Sequence, residues 1–234
     1  MRQRFTVASF NIHACVGRDR RRDVDRIAEV IRELNVDVIG LQEVDSRFGV
    51  DKEAMQMEYL ARAAGLNAVA GPAIERHDRH YGNVILTNHP ILEVRHLDLS
   101  VGNQEPRGAI DADIDIHGQR VRVVVTHFGL RRTERRDQTQ RLLAALKARD
   151  AKQFTVVIGD FNEWLPKSRC LSWLQQRFGK PPAPATYPAF LPLFALDRVW
   201  VFPERALVDI HVHHTAITRV CSDHLPLKAI ITMD

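Results

Sequence analysis

Val36-Asp37-Val38-Ile39-Gly40-Leu41-Gln42-Glu43, residues 36–43, is a short apolar run that stops on two polar residues. Its length and its β-branched content predict a buried strand. Upstream, from about Asp23, the residues Val24, Ile27, Ile31 and Leu34 recur near the 3.6-residue period, with Arg26, Glu29, Arg32 and Glu33 on the other side, which predicts an amphipathic helix. Before that helix, Thr6 to Phe10 is a second β-prone run, and it hands over to Asn11-Ile12-His13. The first 43 residues thus read as strand, helix, strand, and each strand ends on a polar side chain.

Working towards the carboxyl terminus, a helix is expected over 51–64, with Met55, Tyr59, Leu60 and Ala63 inward and Gly65 as its stop. Ala68–Ala70 is expected to pair with Asn83–Thr87 around the polar segment Glu75-Arg76-His77-Asp78-Arg79-His80, which faces solvent or a site. Ala109–Ile116 alternates apolar and acidic residues, and Gly118-Gln119 separates it from Val121–Thr126, as in a hairpin with one wet face. On that reading Asp111, Asp113 and Asp115 belong to a solvated strand face, not to a metal cluster. Thr133 is expected to cap a helix to about Ala148, Phe154–Ile158 to form a strand, and Ser168 to cap a helix through Phe178. The Pro-rich run 181–188 reads as a surface connection, followed by strands over Ala195–Val201, 206–217 and Ala229–Met233. Hairpins, lone strands and a few helices together predict an α/β protein with two layers of sheet and helices outside.

Composition narrows the class. With 234 residues, 45% of them hydrophobic, the chain can fill one core, so a single domain over 1–234 is expected. The start lacks a signal-peptide core, and no run approaches the ~18 apolar residues of a membrane span, so a cytoplasmic protein without a transmembrane segment is expected. Cys15, Cys170 and Cys221 are odd in number and widely spaced, which predicts free thiols. The net charge of +4 suits a phosphorylated or polyanionic partner without separating DNA, RNA and an anionic lipid headgroup.

Four strand-like runs end on Asn11, Glu43, His127 and the pair Asp160/Asn162, and a fifth cluster is Ser222-Asp223-His224. Oxygen ligands at strand ends are the means by which a rigid scaffold holds Mg²⁺. The segments Ser9–His13, Leu41–Asp45, Tyr81–Leu86, Thr126–Phe128, Gly159-Asp160-Phe161-Asn162, Leu196–Val201 and Ser222–Leu227 resemble, in order, the motifs of the endonuclease/exonuclease/phosphatase family. That family includes DNase I-like nucleases, abasic-site endonucleases, neutral sphingomyelinases and inositol-polyphosphate 5-phosphatases. The resemblance implies a four-layer α/β sandwich, DNase I-like, with two packed central mixed β-sheets, helices on the outer faces and an active site at one rim.

By the same resemblance Glu43 is the main Mg²⁺ ligand, with Mn²⁺ a substitute, Asn11 assists it, and Asp223 is a further carboxylate on the metal side. Asp160 orients or deprotonates the attacking water, and Asn162 holds a phosphoryl oxygen. His224 stabilises the transition state as a cation, with Asp197 on its far ring nitrogen. His127 donates to the phosphate or to the leaving oxygen, and Asn83 supports the site by holding His127 or a loop. Arg107 is placed either on the substrate phosphate or as a hairpin cap, and Arg131, Arg132, Arg135 and Arg136 either extend the positive field or form a charged helix face. His211, His213 and His214 read as satisfied or exposed imidazoles and not as zinc ligands.

The implied activity is Mg²⁺-dependent hydrolysis of a phosphodiester in nucleic acid or a phospholipid headgroup, with no obligate protein partner. Phosphomonoester hydrolysis on a small or inositol-type phosphate and a catalytically inactive phosphate-binding module are the alternatives. Phe194 is expected in the core, whereas exposure of Trp164 and Phe190 at the rim would favour a partly apolar substrate.

Overall fold

Alternation along the strands divides their apolar side chains between two faces, and each face has its own partner layer. The computed structural model describes residues 3–47, 51–76, 79–149 and 152–233, without the side chains of residues 75, 76 and 79. In chain order the elements are β1 (Gln3–Asn11), α1 (Val24–Leu34), β2 (Val38–Arg47), α2 (Gln56–Ala64), β3 (Asn67–Arg76), β4 (Arg79–Thr87), β5 (Ile91–Asp98) and β6 (Gly108–Ile116). There follow β7 (Gln119–His127), α3 (Arg132–Ala148), β8 (Thr155–Asp160), α4 (Arg169–Phe178), β9 (Asp197–Phe202), β10 (Leu207–Val212), α5 (Thr218–Cys221) and β11 (Leu227–Met233).

One sheet has the order β10-β11-β1-β2-β4-β3 and the other β5-β6-β7-β8-β9. Within them β1/β2 and β7/β8 are parallel and the remaining pairs antiparallel, so both sheets are mixed. Val7, Val38, Ile85 and Ile231 of the first sheet pack against Ile110, Val123, Val125 and Ile158 of the second. The sheets come so close at Gly40 that a Cβ there would sit 2.7 Å from Val125 Cγ2 and 2.9 Å from Ile158 Cδ1.

The opposite faces carry the helices. Ala8, Phe10, Ile39 and Leu41 receive Ile27, Ile31 and Leu34 of α1 and Leu60 of α2. Val124, Val157 and Trp200 receive Leu142 and Leu146 of α3 and Leu171, Leu174 and Phe178 of α4. The result is the four-layer sandwich expected, with the carboxyl ends of β1, β2, β7 and β8 meeting at one rim.

Several local expectations need correction. Strand β5 lies at a sheet edge with most of its side chains exposed, so its sequence lacks the clean alternation that announces a strand. Helix α2 starts at Gln56, not 51, and β10 ends at Val212. Thr133 sits inside the first turn of α3, whose start is closed by the Glu134 carboxylate accepting from the Arg131 backbone N–H. Asp111 and Asp113 are buried, not solvated: Arg122 and Arg95 reach Asp111, and Arg95, Arg120 and Arg149 surround Asp113. The arginines come from β5, β7 and the end of α3, a convergence invisible to the alternation of β6 alone. His77 and Asp78 and the side chains of Arg76 and Arg79, expected at a loop, lie outside the described residues. Cys15, Cys170 and Cys221 are free and buried, as expected.

Candidate active site

Asn11 ends β1, Glu43 lies midway along β2 just beyond its pairing with β1, His127 ends β7 and Asp160 ends β8. Parallel pairing of β1 with β2 and of β7 with β8 brings these ends to the same side, and sheet packing brings the two pairs together. The join is direct: the Asn11 amide Nδ2 donates to Glu43 Oε1 at 3.0 Å and to Asp160 Oδ2 at 3.1 Å. Its Oδ1 meanwhile accepts from the His13 backbone N–H at 3.0 Å. In this arrangement Asn11 turns its donors to the carboxylates, and a ligand role for its oxygen requires the amide to turn over.

Glu43 departs from strand alternation. The β2–β4 register shifts between Leu41 and Val44, and Glu43 takes a left-handed φ of 58°, so a bulge aims its side chain at the rim. Bulges are a known means of redirecting a side chain next to an active site, and a non-glycine residue at positive φ carries strain that the surrounding fold must sustain. Tyr81 lines the same cavity and hydrogen-bonds Glu43, and burial followed by the Glu43 charge pushes its phenol well above the ordinary range.

Asp160 is buried, and burial raises its carboxyl pKa despite the opposing attraction of His224. Asn162 has a positive φ of 48°, in a turn closed by its own backbone N–H donating to Asp160 Oδ1 at 2.8 Å. Both hydrogens of its side-chain amide have acceptors within the protein, Phe128 O at 3.0 Å and His127 Nε2 at 3.1 Å. It therefore orients His127, and in this state it has no hydrogen left for a phosphoryl oxygen.

His127 is buried, and burial, then the Arg107 and His224 charges, hold its ring well below the ordinary imidazole range. The ring is neutral, and the bond accepted from Asn162 assigns its proton to Nδ1. Nε2 lies 3.5 Å from Asp160 and 4.0 Å from Glu43.

His224 has the opposite electrostatics. Burial disfavours its cation, but Asp197 and then Asp160 outweigh that cost and push its pKa up to about 10. Asp197 Oδ2 accepts from His224 Nδ1 at 2.8 Å and from the Thr186 hydroxyl at 2.6 Å, while His224 Nε2 lies 3.6 Å from Asp160. Ser222 anchors the segment by donating to Asn11 O at 2.8 Å, and Asp223 is left partly exposed at the cavity edge.

Glu43, Tyr81, His127, Asp160, Asn162, Asp223 and His224 line a cavity of about 280 Å³ that also holds Arg107, Glu105, Leu130, Trp164 and Tyr187, with Asn11 and Asp197 behind its wall. Arg107 is 7% exposed and paired with Glu105 at 3.0 Å, so it is a cation in the wall of the cavity. Asn83 does not line this cavity. It donates to Gly108 O at 2.9 Å and so braces the loop that presents Arg107.

The remaining basic and histidine residues separate in the same way. Arg135 is buried, bonded to Leu130 O and Glu163, whereas Arg131 and Arg132 are exposed. His211 and His213 pair with Asp209 and Glu33.

Sequence reading passed over Thr186 and Tyr187. They lie in the Pro-rich run, where no periodicity marks them, yet Thr186 fixes Asp197 and the Tyr187 ring packs 4.9 Å from that of His224. Trp164, Phe190 and Phe194 are all exposed by more than a third, which contradicts the core position expected for Phe194.

Two clusters of the described residues could hold a metal ion, Asp160/Asp197/His224 and Asp37/His89/His117. In the first, Asp197 is already committed to His224 and Thr186. Glu43, Asp160 and Asp223 line the cavity and offer the oxygen donors that a hard divalent cation prefers.

The fold is the DNase I-like α/β sandwich. The chain belongs to the endonuclease/exonuclease/phosphatase family, whose model matches residues 8–224. It is 28% identical to the uncharacterized protein YbhP of Escherichia coli (strain K12), over 96% of this chain and 95% of that protein. A solved endonuclease/exonuclease/phosphatase family protein from Bacteroides thetaiotaomicron aligns with a TM-score of 0.81 at 16% identity, over 100% of this chain and 99% of its own. A mannosyl-6-phosphatase from the same organism aligns with a TM-score of 0.75 at 17% identity, over 98% of this chain and 100% of its own. At such identities the structural likeness speaks to fold alone. Family, fold and the candidate metal clusters support a metal-dependent phosphoesterase activity.

Proposed function

We propose that the chain hydrolyses a phosphodiester bond by in-line attack of water, using Mg²⁺, or Mn²⁺ in its place, held by Glu43 with Asp223 and assisted from the Asn11 side. The observation that carries this reading is the opposed pair at the cavity floor: a cationic His224 fixed by Asp197, and a carboxylate of raised pKa, Asp160, 3.6 Å from it. When bound, the cation supplies Lewis-acid polarisation of the phosphate.

The protein groups divide the remaining work. Asp160 accepts the proton of the attacking water as the new P–O bond forms, and its raised pKa brings it nearer the range useful for a base at neutral pH. His224 sets a positive charge against the phosphoryl oxygens as negative charge builds on them, and Arg107 adds a second cation from the cavity wall. As the ester P–O bond breaks, the leaving oxygen takes up a proton, which protonated His224 can supply. His127 is neutral with its proton on Nδ1, so it serves as an acceptor beside Asp160 unless its ring turns.

The test is release of nitrophenol from bis(4-nitrophenyl) phosphate with Mg²⁺, against EDTA and against an Asp160→Asn sample. Metal-dependent turnover that Asp160→Asn abolishes is expected, and turnover that survives the substitution would sink the assignment. A phosphomonoesterase is the second reading, favoured by the two cations, His224 and Arg107, which suit a dianionic terminal phosphate. Faster turnover of the mono-ester 4-nitrophenyl phosphate would select it.

A further inference from the structure

We propose that the chain docks on an anionic phospholipid surface through an apolar apron on the catalytic rim, and takes a lipid's phosphodiester headgroup into the cavity from there. This rests on the phosphodiesterase reading above and names its substrate class.

Seven of the eleven exposed large apolar side chains among the described residues are Leu130, Trp164, Leu165, Phe190, Leu191, Leu193 and Phe194, each between 38% and 66% exposed. They stand on three loops that all leave or enter the catalytic rim. Leu130 follows His127 by three residues, Trp164 and Leu165 follow Asp160 by four and five, and residues 190–194 lead into Asp197. Such a concentration on one rim is not the scattered exposure normal for a soluble surface.

The apron is continuous with the chemistry. Trp164 packs edge-on against Phe194 and Tyr187, at 4.9 and 5.5 Å between ring centres, and Tyr187 packs on His224. An antiparallel bridge between Tyr187 and Phe194 closes the 187–194 loop, and Ala189 N–H donates to Asp223 O at 2.7 Å, so the loop is tied to the cavity edge. Leu130 and Trp164 form part of the cavity wall itself.

Charge complements the apolar surface. The Arg18 guanidinium lies 4.3 Å over the Phe190 ring, Arg131 and Arg132 directly follow Leu130, and Lys167 follows Leu165 by two residues, all three of the latter exposed. Apolar tips flanked by cations are the composition that binds an anionic lipid interface.

Size points the same way. A cavity of about 280 Å³ takes a phosphate and part of a headgroup but not acyl chains, which must stay outside, where the apron lies. Single-stranded nucleic acid would use aromatic faces and cations, but four of the seven apron residues are leucines, which offer no stacking surface.

The experiment uses the full chain with Mg²⁺. Co-sedimentation is measured with phosphatidylcholine vesicles with and without phosphatidylglycerol, together with tryptophan emission and hydrolysis of the vesicle lipid. Binding that increases with phosphatidylglycerol and a blue shift of the emission are expected. The triple variant Phe190→Ser, Leu191→Ser, Leu193→Ser should lose about a hundredfold in vesicle partitioning and a similar factor in vesicle-lipid turnover. Its turnover of soluble bis(4-nitrophenyl) phosphate should stay within about twofold, as for exposed substitutions away from the reacting groups.

If circular dichroism shows the triple variant unfolded, Leu193→Asp alone makes the same comparison. Wild-type chain that ignores both vesicle types, or a folded variant that binds them as well as wild type, overturns the proposal. So does a rim that a second copy of the chain or an oligonucleotide occupies in preference to vesicles. Cleavage of the soluble diester without vesicle binding defeats the lipid proposal alone, whereas vesicle binding without cleavage of any diester defeats the phosphodiesterase reading.

Discussion

His224 Nδ1 lies 2.8 Å from Asp197 Oδ2, and that contact holds a buried imidazole in its charged form. The folded ring binds its proton more tightly than an unfolded one, whose pKa is about 6.5. The pair therefore contributes stability that is complete below about pH 6.5 and is lost as pH rises through the folded value near 10. In metal-free protein, NMR of the His224 ring should show it protonated through neutral pH. In Asp197→Asn the transition should fall by several pH units, and an unchanged transition would contradict the role given to Asp197.

Replacing His224 with Ala removes the cation from the cavity floor without opening a large void, because the ring is polar and sits at the cavity wall. We predict a loss of about a thousandfold or more in kcat, with a lowered thermal midpoint because buried Asp197 loses its cationic partner. Near-normal turnover of bis(4-nitrophenyl) phosphate by the folded variant would refute the catalytic assignment.

Thr186→Val deletes a hydroxyl that bonds Asp197 at 2.6 Å in a buried position. Thr186 is a positioning residue, acting through Asp197 on His224. The expected result is a kcat reduction of about tenfold with KM little changed, and a His224 titration moved in the NMR measurement above. Thr186→Ser should restore both.

Gly40→Ala would place a methyl group 2.7 Å from Val125 Cγ2 between the two sheets. Overpacking of this kind costs about 1–3 kcal/mol. Urea unfolding should report that loss, and a stability equal to wild type would show that the sheets separate more readily than their packing suggests.

Burial opposes ionisation of Asp111, yet hydrogen bonds from Arg122 and Arg95 outweigh it and hold the carboxyl below the ordinary range. That depressed pKa makes its contribution to stability fully present above the unfolded carboxylate value of about 3.9 and lost as pH falls through the folded value. Arg122→Met leaves a buried carboxylate without its main partner and should cost about 3–5 kcal/mol. The double change Arg122→Met, Asp111→Leu should recover much of that loss in chemical denaturation.

Much of this arrangement is legible along the chain. The strand–helix–strand pattern over 6–43 follows from local periodicity, and so does the hairpin of β6 and β7, because an apolar face and a turn write themselves into neighbouring residues. The residue types at the rim, among them Glu43, Asp160 and His224, are legible as well, since each follows or ends a recognisable apolar run or a short motif. Exposed β5 is not, because an edge strand with few buried side chains carries no pattern to read.

The sequence by itself determined the layers and the chemical inventory of the rim, because strand alternation and polar strand ends are local properties. Only the tertiary structure decided how that inventory is used. It set neutral His127 against cationic His224, committed the Asn162 amide to His127 and Phe128, moved Asn83 behind the loop of Arg107, and brought Thr186 to Asp197. The site depends on burial and on contacts between residues up to 211 positions apart, as for Asn11 and Ser222, and no short window of sequence contains them.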